Sequence, residues 1–463
     1  MNRPNLVFIT TDHQRADSLH MTQCGREVTP HLNRLAAQSA QFERAYCSAP
    51  LCVPARTALA TGKYPTASGV VCNDWSGETA GDHPPMHQML AEAGYRLGHF
   101  GPQHIRLRPE LTARVPFAAY ADTDDYRRHA ADRGLPAPDP RSRRAVRELQ
   151  DGNYAATQYS SAHVSAWDGP LADFQDCYFT ERAAAFVREQ AGTDAPFALF
   201  LNIWAPHPPL AVPHPYAGLF DPERIELPAN VGLAATGEPA GRRRGVPAQL
   251  AEDVTIDAWR RAWAAHLALT HLADACVGRI VEALQQGGVF EDTLLLFMSD
   301  HGEHLGQHRM YQKMEMYEQA LRVPMLIRLP GTQPVRCEEV VSHLDVLPTM
   351  LDALGLDRPA QLDGQSLLPV LRGGAAPADR SVFAQYSGNP RPGDIRRAVV
   401  TKRYKYIYDP ADAAELYDLL LDPLETVNLA ADPAHATVRE ALHRRMLEWA
   451  AAHADTWIGR DNE

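Results

Sequence analysis

The seven cysteines (24, 47, 52, 72, 177, 276 and 337) are odd in number and contain no Cys-x-x-Cys pair. Neither a disulfide framework nor a zinc ribbon is therefore indicated, although a single cysteine with special chemistry stays open. No apolar run approaches the roughly 18 residues that a membrane span needs. No basic run exceeds Arg242-Arg243-Arg244, and Lys+Arg 45 against Asp+Glu 57 leaves a net charge of -12. The electrostatic footprint of a nucleic-acid binder is thus missing, and neither nucleic acid nor membrane is expected as a partner. No internal repeat or low-complexity tract occurs. The chain starts Met1-Asn2-Arg3-Pro4 and enters a strand-like run at Asn5, which leaves no room for a secretory leader and leads us to expect a cytoplasmic protein.

What is present is ordinary globular material: 463 residues, 45% hydrophobic and 22% charged, enough for one large or two unequal domains. Leu6-Val7-Phe8-Ile9, Phe197 to Leu201 and Leu294 to Met298 are continuous apolar runs, the pattern of strands buried on both faces of a mainly parallel sheet. Each run hands over to polar residues: Thr10-Thr11-Asp12-His13, Pro206-His207-Pro208 and Ser299-Asp300-His301-Gly302. Ligands of open α/β sheets sit beyond the carboxyl ends of the strands, so the three hand-overs are expected to converge. Asp257 to Gln286 has helical apolar spacing, with Gly287-Gly288 as the stop. Segments 106–176 and 208–256, rich in Pro, Gly, Arg and Asp, read as long surface excursions.

Gly373 to Pro377 reads as a linker, dividing a catalytic α/β domain (1–372) from a smaller α+β unit (373–463). In the latter, Ala398 to Thr401 and Tyr404 to Tyr408 flank a two-residue turn, and Glu415 to Leu419 is a third strand. Thr437 and Glu440 have the spacing of a capping box opening a terminal helix to about Ala452.

In Ser48 to Lys63, Pro54 suits the first turn of a helix and Gly62 its stop. Cys52 then lies at a helix N-terminus, where backbone N–H groups favour anions, with Arg56 one turn on along the same face. Taken alone, Cys52 reads first as a buried structural cysteine. Asp12, Asp300 and His301, at predicted strand ends, make a divalent-metal set, although each by itself reads as a cap or surface group.

These residues resemble those of the type I sulfatases of the alkaline phosphatase superfamily. Five segments recur in that family's order: Pro4 to Asp12, Cys52 to Gly62, Ala205 to Pro209, Ser299 to His308 and Lys313 to Pro324. The stretch from Glu415 to Leu429 is similar to its closing segment, so the resemblance spans nearly the whole chain. It implies an α/β fold with a large, mainly parallel sheet sandwiched by helices and a smaller C-terminal α+β domain. It implies that Cys52, within Cys-x-Pro-x-Arg, is oxidised to formylglycine by a maturation enzyme, and that the hydrated aldehyde is the nucleophile toward a small anionic ester. By the same resemblance Asp12, His13, Asp300, His301 and the modified Cys52 surround one divalent cation, Ca2+ with Mn2+ as the alternative. Arg56 neutralises sulfuryl oxygens, and Lys313, His207 and His104 complete the catalytic set.

Departures are visible too. Many sulfatases carry two adjacent aspartates where this chain has Asp12-His13, so His13 is either a nitrogen ligand or none. The family's Gly-Lys-x-His segment stands here as Gly101-Pro102-Gln103-His104, without the lysine. Sulfate-ester hydrolysis is therefore the expectation, with phosphonate monoester or phosphodiester hydrolysis as the near alternative and a catalytically silent anion binder as the distant one. The alcohol part of the substrate is not legible, and a homo-oligomer is compatible with everything above.

Overall fold

The computed structural model describes residues 3–74 and 80–458. The elements that frame the site are, in chain order, β1 (Asn5–Asp12), β2 (Ala40–Tyr46), α1 (Cys52–Thr61), β3 (Arg96–Phe100), β4 (Phe117–Ala121), α2 (Gln175–Gln190), β5 (Phe197–Pro206), α3 (Ile256–Gln286), β6 (Thr293–Ser299), β7 (Met325–Arg328) and β8 (Val335–Ser342). Five strands form a parallel block in the order β6-β1-β5-β3-β4. β7 extends it antiparallel to β6, and β2 pairs antiparallel to β7 and parallel to β8. The sheet is thus mixed at one side and parallel where the site lies.

The three apolar runs become β1, β5 and β6 because a strand covered on both faces has no polar side to present. Leu6, Val7, Ile9, Leu199, Leu201 and Leu294 have no exposed surface. Register places Thr11 beside Ser299 on β6 and beside Ile203 on β5. The three polar hand-overs consequently emerge together, with Asp12 opposite Pro206 across an irregularity in the β1–β5 ladder.

α3 covers the expected helix almost residue for residue, opening on Thr255, whose side chain accepts from the Ala258 N–H, and stopping at Gly287. Trp259, Trp263, Leu267, Val277, Ile280 and Leu284 are buried, a stripe at spacings of three and four. Trp263 Nε1 donates to Leu305 O at 2.8 Å, tying this helix to the loop that follows Asp300.

The small sheet contains β9 (Val382–Tyr386), β10 (Arg396–Val400), β11 (Tyr404–Tyr408) and β12 (Glu415–Asp418), antiparallel in that order, followed by α4 (Ala436–Ala452). Sequence reading finds three of these strands and misses β9. The capping box does not form: α4 begins at Ala436 without a side-chain cap, so Thr437 is already inside the helix, and Asp432 caps the preceding short turn instead. Segments 106–176 and 208–256 are also more structured than expected. They supply β4 of the main sheet, a hairpin of Arg143–Gln150 with Asn153–Ser160, and a parallel pair of Val164–Trp167 with Leu210–Pro213. Their alternation is half-exposed or short, so composition conceals it.

This sheet grips the segment after Lys313 through buried charges. Glu315 pairs with Arg396 at 3.2 Å, Tyr317 donates to Glu415 at 2.7 Å, and Glu318 pairs with Lys405 at 2.8 Å. If α3 is a core helix as its stripe indicates, Ile280→Ala lowers stability by about 2–5 kcal/mol, whereas Glu282→Ala on the exposed side stays within about 0.5 kcal/mol. Chemical denaturation midpoints of the two variants provide the check.

Candidate active site

Cys52 opens α1, and all ten residues of that helix are buried. Gly62 ends it in the left-handed region, φ 68°, as a residue without Cβ can. The expected geometry follows: one turn after Cys52, Arg56 reaches both strand-end carboxylates. Its Nη2 donates to Asp12 Oδ2 at 2.9 Å, its Nε to Asp300 Oδ2 at 2.9 Å, and its Nη1 to Pro102 O at 3.0 Å. Asn202 Nδ2 donates to the same Pro102 carbonyl at 2.8 Å, and Gly101 sits so close to Asn202 O that an added Cβ would meet it at 2.0 Å. The segment that lacks the lysine thus contributes a carbonyl to Arg56.

Around the Cys52 thiol stand Lys313 Nζ at 2.9 Å, His301 Nε2 at 3.3 Å and Asp12 Oδ1 at 3.7 Å. Burial, with Asp12 beside it, pushes the thiol up to about 12. An unmodified Cys52 is therefore a neutral thiol near neutral pH and a poor nucleophile. Burial and the charge of Asp300 likewise push the Asp12 carboxyl up to about 7, against the pull of Arg56. Burial and Asp300 together outweigh the pull of Arg56 and Lys313 on this carboxyl.

A divalent cation fits this donor set. Ligand atoms of Asp12, Cys52, Asp300 and His301 lie within 4.8 Å of one another. His301 Nδ1 bonds to Gly302 O at 3.1 Å, which as a donor leaves the Nε2 lone pair facing Asp12 Oδ1 and Asp300 Oδ1, each at 3.6 Å. Three electron-rich atoms this close together suit a cation, and a backbone-bonded second nitrogen is the usual support of a ligating histidine. A second grouping of Asp12, His13 and His207 is as compact, but His13 Nε2 already takes Lys313 Nζ at 2.6 Å.

His207 follows β5, its Nδ1 in a very short bond with Pro208 O and its Nε2 3.5 Å from Lys313 Nζ. Burial first, then Lys313, hold its pKa well below the ordinary histidine range. Its ring lies against Trp204, centroids 3.9 Å apart, and Trp204 meets His104 edge-on at 6.0 Å, so the two histidines belong to one wall. Burial and Arg56 bring His104 down to about 3.

All the residues singled out from the sequence, Asp12, His13, Cys52, Arg56, His104, His207, Asp300, His301 and Lys313, are therefore brought to one place. Sequence reading misses Glu303, whose Oε2 lies 2.7 Å from His13 Nδ1, and Asn73, whose Oδ1 accepts from the Val53 N–H at 3.1 Å. Glu303 adjoins Asp300-His301-Gly302 and could have been noticed there, whereas no local pattern marks Asn73. Because Arg56 is the cation that two buried carboxylates share, Arg56→Met should destabilise the protein by about 3–5 kcal/mol in chelator and by less when Ca2+ or Mn2+ is supplied. Thermal melts with and without the ion test this, and an equal loss in both would show that the guanidinium and the ion do not balance the same charge.

The chain matches the family profile described as Sulfatase over residues 4–356 and the profile described as N-sulphoglucosamine sulphohydrolase, C-terminal, over residues 306–452. A multifunctional alkaline phosphatase superfamily protein of Trinickia caryophylli is 30% identical, the match covering 98% of this chain and 96% of that one. The choline-sulfatase of Rhizobium meliloti is 28% identical, covering 98% and 87%. Among solved structures, the phosphonate monoester hydrolase of Agrobacterium radiobacter is similar with a TM-score of 0.78 and 25% identity, covering 97% of this chain and 96% of that chain.

Proposed function

Since the chain belongs to the sulfatase family of the alkaline phosphatase superfamily, we propose that it hydrolyses sulfate monoesters with a formylglycine made from Cys52 and one divalent cation. The observation that carries this reading is the placement of Cys52 at the head of α1, within reach of Lys313, His301 and Asp12 at once. A neutral, buried thiol explains nothing at that position, whereas a modified side chain with oxygen atoms would.

Asp12, Asp300 and His301 would hold the cation, with the modified Cys52 completing the set. Once in place, the hydrated aldehyde supplies an oxygen nucleophile and the cation supplies Lewis-acid stabilisation. The remaining chemistry falls to the chain's own side chains. Arg56 fixes the positions of both carboxylates and brings positive charge toward a sulfuryl group. Burial opposes the charge of Lys313, and the neighbouring acids Asp12 and Asp300 favour it. A preorganised ammonium aimed at developing negative charge on the leaving oxygen stabilises the transition state more than the ground state. His207 borders the same space. Charging its ring is opposed by burial and by Lys313, so its part is to hydrogen-bond rather than to release a proton.

A second reading, phosphonate monoester hydrolysis, is favoured by a specific observation: at similar coverage the fold matches the Agrobacterium radiobacter enzyme with a TM-score of 0.78, against 0.73 for a putative sulfatase of Bacteroides fragilis. The two substrates share one feature, a single negative charge at the reacting centre. With Pro102 where the resemblance leads one to expect lysine, a dianionic phosphate monoester would bring a buried charge without a partner. For matched aryl sulfate, phosphonate and phosphate esters, kcat/KM is expected to be lowest for phosphate. A phosphate monoester turned over best would overturn the charge argument, and a strong bias to phosphonate would select the second reading.

Peptide mass measurement on protein from a host able to oxidise Cys52 tests the modification. Loss of the thiol mass in favour of the aldehyde is expected, and full activity with only thiol present would overturn the proposal. Cys52→Ala should abolish turnover at unchanged melting temperature. Chelation should remove activity, and elemental analysis chooses between Ca2+ and Mn2+.

A further inference from the structure

Lys313 Nζ has three hydrogens and three partners: His13 Nε2 at 2.6 Å, Cys52 Sγ at 2.9 Å and His207 Nε2 at 3.5 Å. The shortest bond is to the residue that departs from the family pattern. On its other side, His13 Nδ1 lies 2.7 Å from Glu303 Oε2, and both residues are fully buried. A neutral imidazole has one proton for two nitrogens. With that proton on Nδ1 it is donated to Glu303, and the Nε2 lone pair accepts from the Lys313 ammonium.

The pair is held rigidly. Glu303 Oε1 accepts from the Leu305 N–H at 3.2 Å, its backbone carbonyl accepts from Arg15 at 2.7 Å, and its N–H donates to Gln319 O at 2.8 Å. His13 adopts φ 65°, a left-handed conformation uncommon for a non-glycine residue, and its ring stands edge-on between His207 and His301 at 4.4 and 4.6 Å. A strained backbone that persists at a functional site needs surroundings that enforce it, and these contacts do so. With its Nε2 lone pair engaged by an ammonium, His13 has none to offer a metal ion, in contrast to His301.

We infer that Glu303 and His13 form a buried carboxylate–imidazole pair that fixes the position of Lys313 Nζ toward the leaving-group oxygen, and that His13 is a positioning residue rather than a metal ligand. The inference rests on the leaving-group role given to Lys313 above. Charge-assisted bonds of this kind are short and directional, which suits placing a flexible lysine.

The test compares wild type, His13→Ala, Glu303→Gln, Lys313→Ala and the His13→Ala/Lys313→Ala double variant. Each is assayed on aryl sulfates of graded leaving-group acidity, or on the matching aryl phosphonates if those are the better substrates, and metal content per chain is measured alongside. In His13→Ala the kcat loss for the phenyl ester should exceed that for the 4-nitrophenyl ester by roughly ten- to hundred-fold, with KM little changed and the metal content of wild type. The double variant should be no slower than Lys313→Ala, because two residues acting as one unit are not additive. Glu303→Gln, which keeps the packing, should shift the same way to a smaller degree, and it decides the matter if His13→Ala fails to fold. Metal loss in His13→Ala, a uniform rate loss across the series, or additive losses would overturn the pair. If Lys313→Ala itself shows no dependence on the leaving group, the proposed role of Lys313 falls and the pair with it. A dependence in Lys313→Ala that is missing from both His13→Ala and Glu303→Gln removes the pair alone.

Discussion

The constraint on which this site depends is the burial of two carboxylates at the ends of adjacent parallel strands. Asp12 and Asp300 emerge from β1 and β6 into a volume where neither has exposed surface, and a buried charge is expensive unless it is paired. Arg56 bridges both with one planar fork, a task a lysine could not share out in the same way. That requirement fixes where α1 must lie, since Arg56 can reach both acids only from one turn inside a helix whose first residue is Cys52. The positions of Cys52 and of the proposed cation are consequently set by the two ion pairs of one guanidinium.

A second layer of buried charge positions Lys313. The residues around it leave ordinary secondary structure, with Gln312 and Met314 both at positive φ, so local propensity does not hold this segment. It is held from the small sheet by the contacts of Glu315, Tyr317 and Glu318 with Arg396, Glu415 and Lys405. Buried ion pairs of this kind seldom add net stability compared with apolar packing. Their value here is geometric, because each has one low-energy arrangement and together they leave the segment a single path. The C-terminal sheet would therefore serve the role proposed for Lys313 by positioning its segment.

The composition of the pocket also bears on what it can accept. Among the described residues, Arg56 and Lys313 are the two cations whose side chains reach the Asp12–Asp300–Cys52 cluster, and Arg56 is committed to the two acids. Pro102 contributes a carbonyl to Arg56 at the position where the family resemblance leads one to expect lysine. Burial opposes charging the histidines around the site, which is the basis of the low-charge preference proposed above. Trp204, His207 and His104 form an aromatic wall beside it.

The sequence by itself determined the buried strands, the long crossover helix and the Cys52–Arg56 helix, because each is written in a local period or a local stop: continuous apolar runs, a spacing of three and four, a glycine after the last turn. It also supplied the acids and bases next to strand ends, Asp12, His13, His207, Asp300 and His301, but not Glu303. The hairpin of residues 143–160 was not legible because half-exposed strands are patterned weakly, β9 because it is short and carries a buried glutamine, and the start of α4 because a cap depends on which residue the chain turns at. What only the tertiary structure decided is the partnership among residues far apart. His13 meets Glu303 across 290 residues and Lys313 across 300, and no local signal records either contact. From sequence His13 was as good a metal ligand as a bystander. Only the fold, by delivering an ammonium to one nitrogen and a carboxylate to the other, gave both of its lone-pair and proton positions to neighbours within the protein.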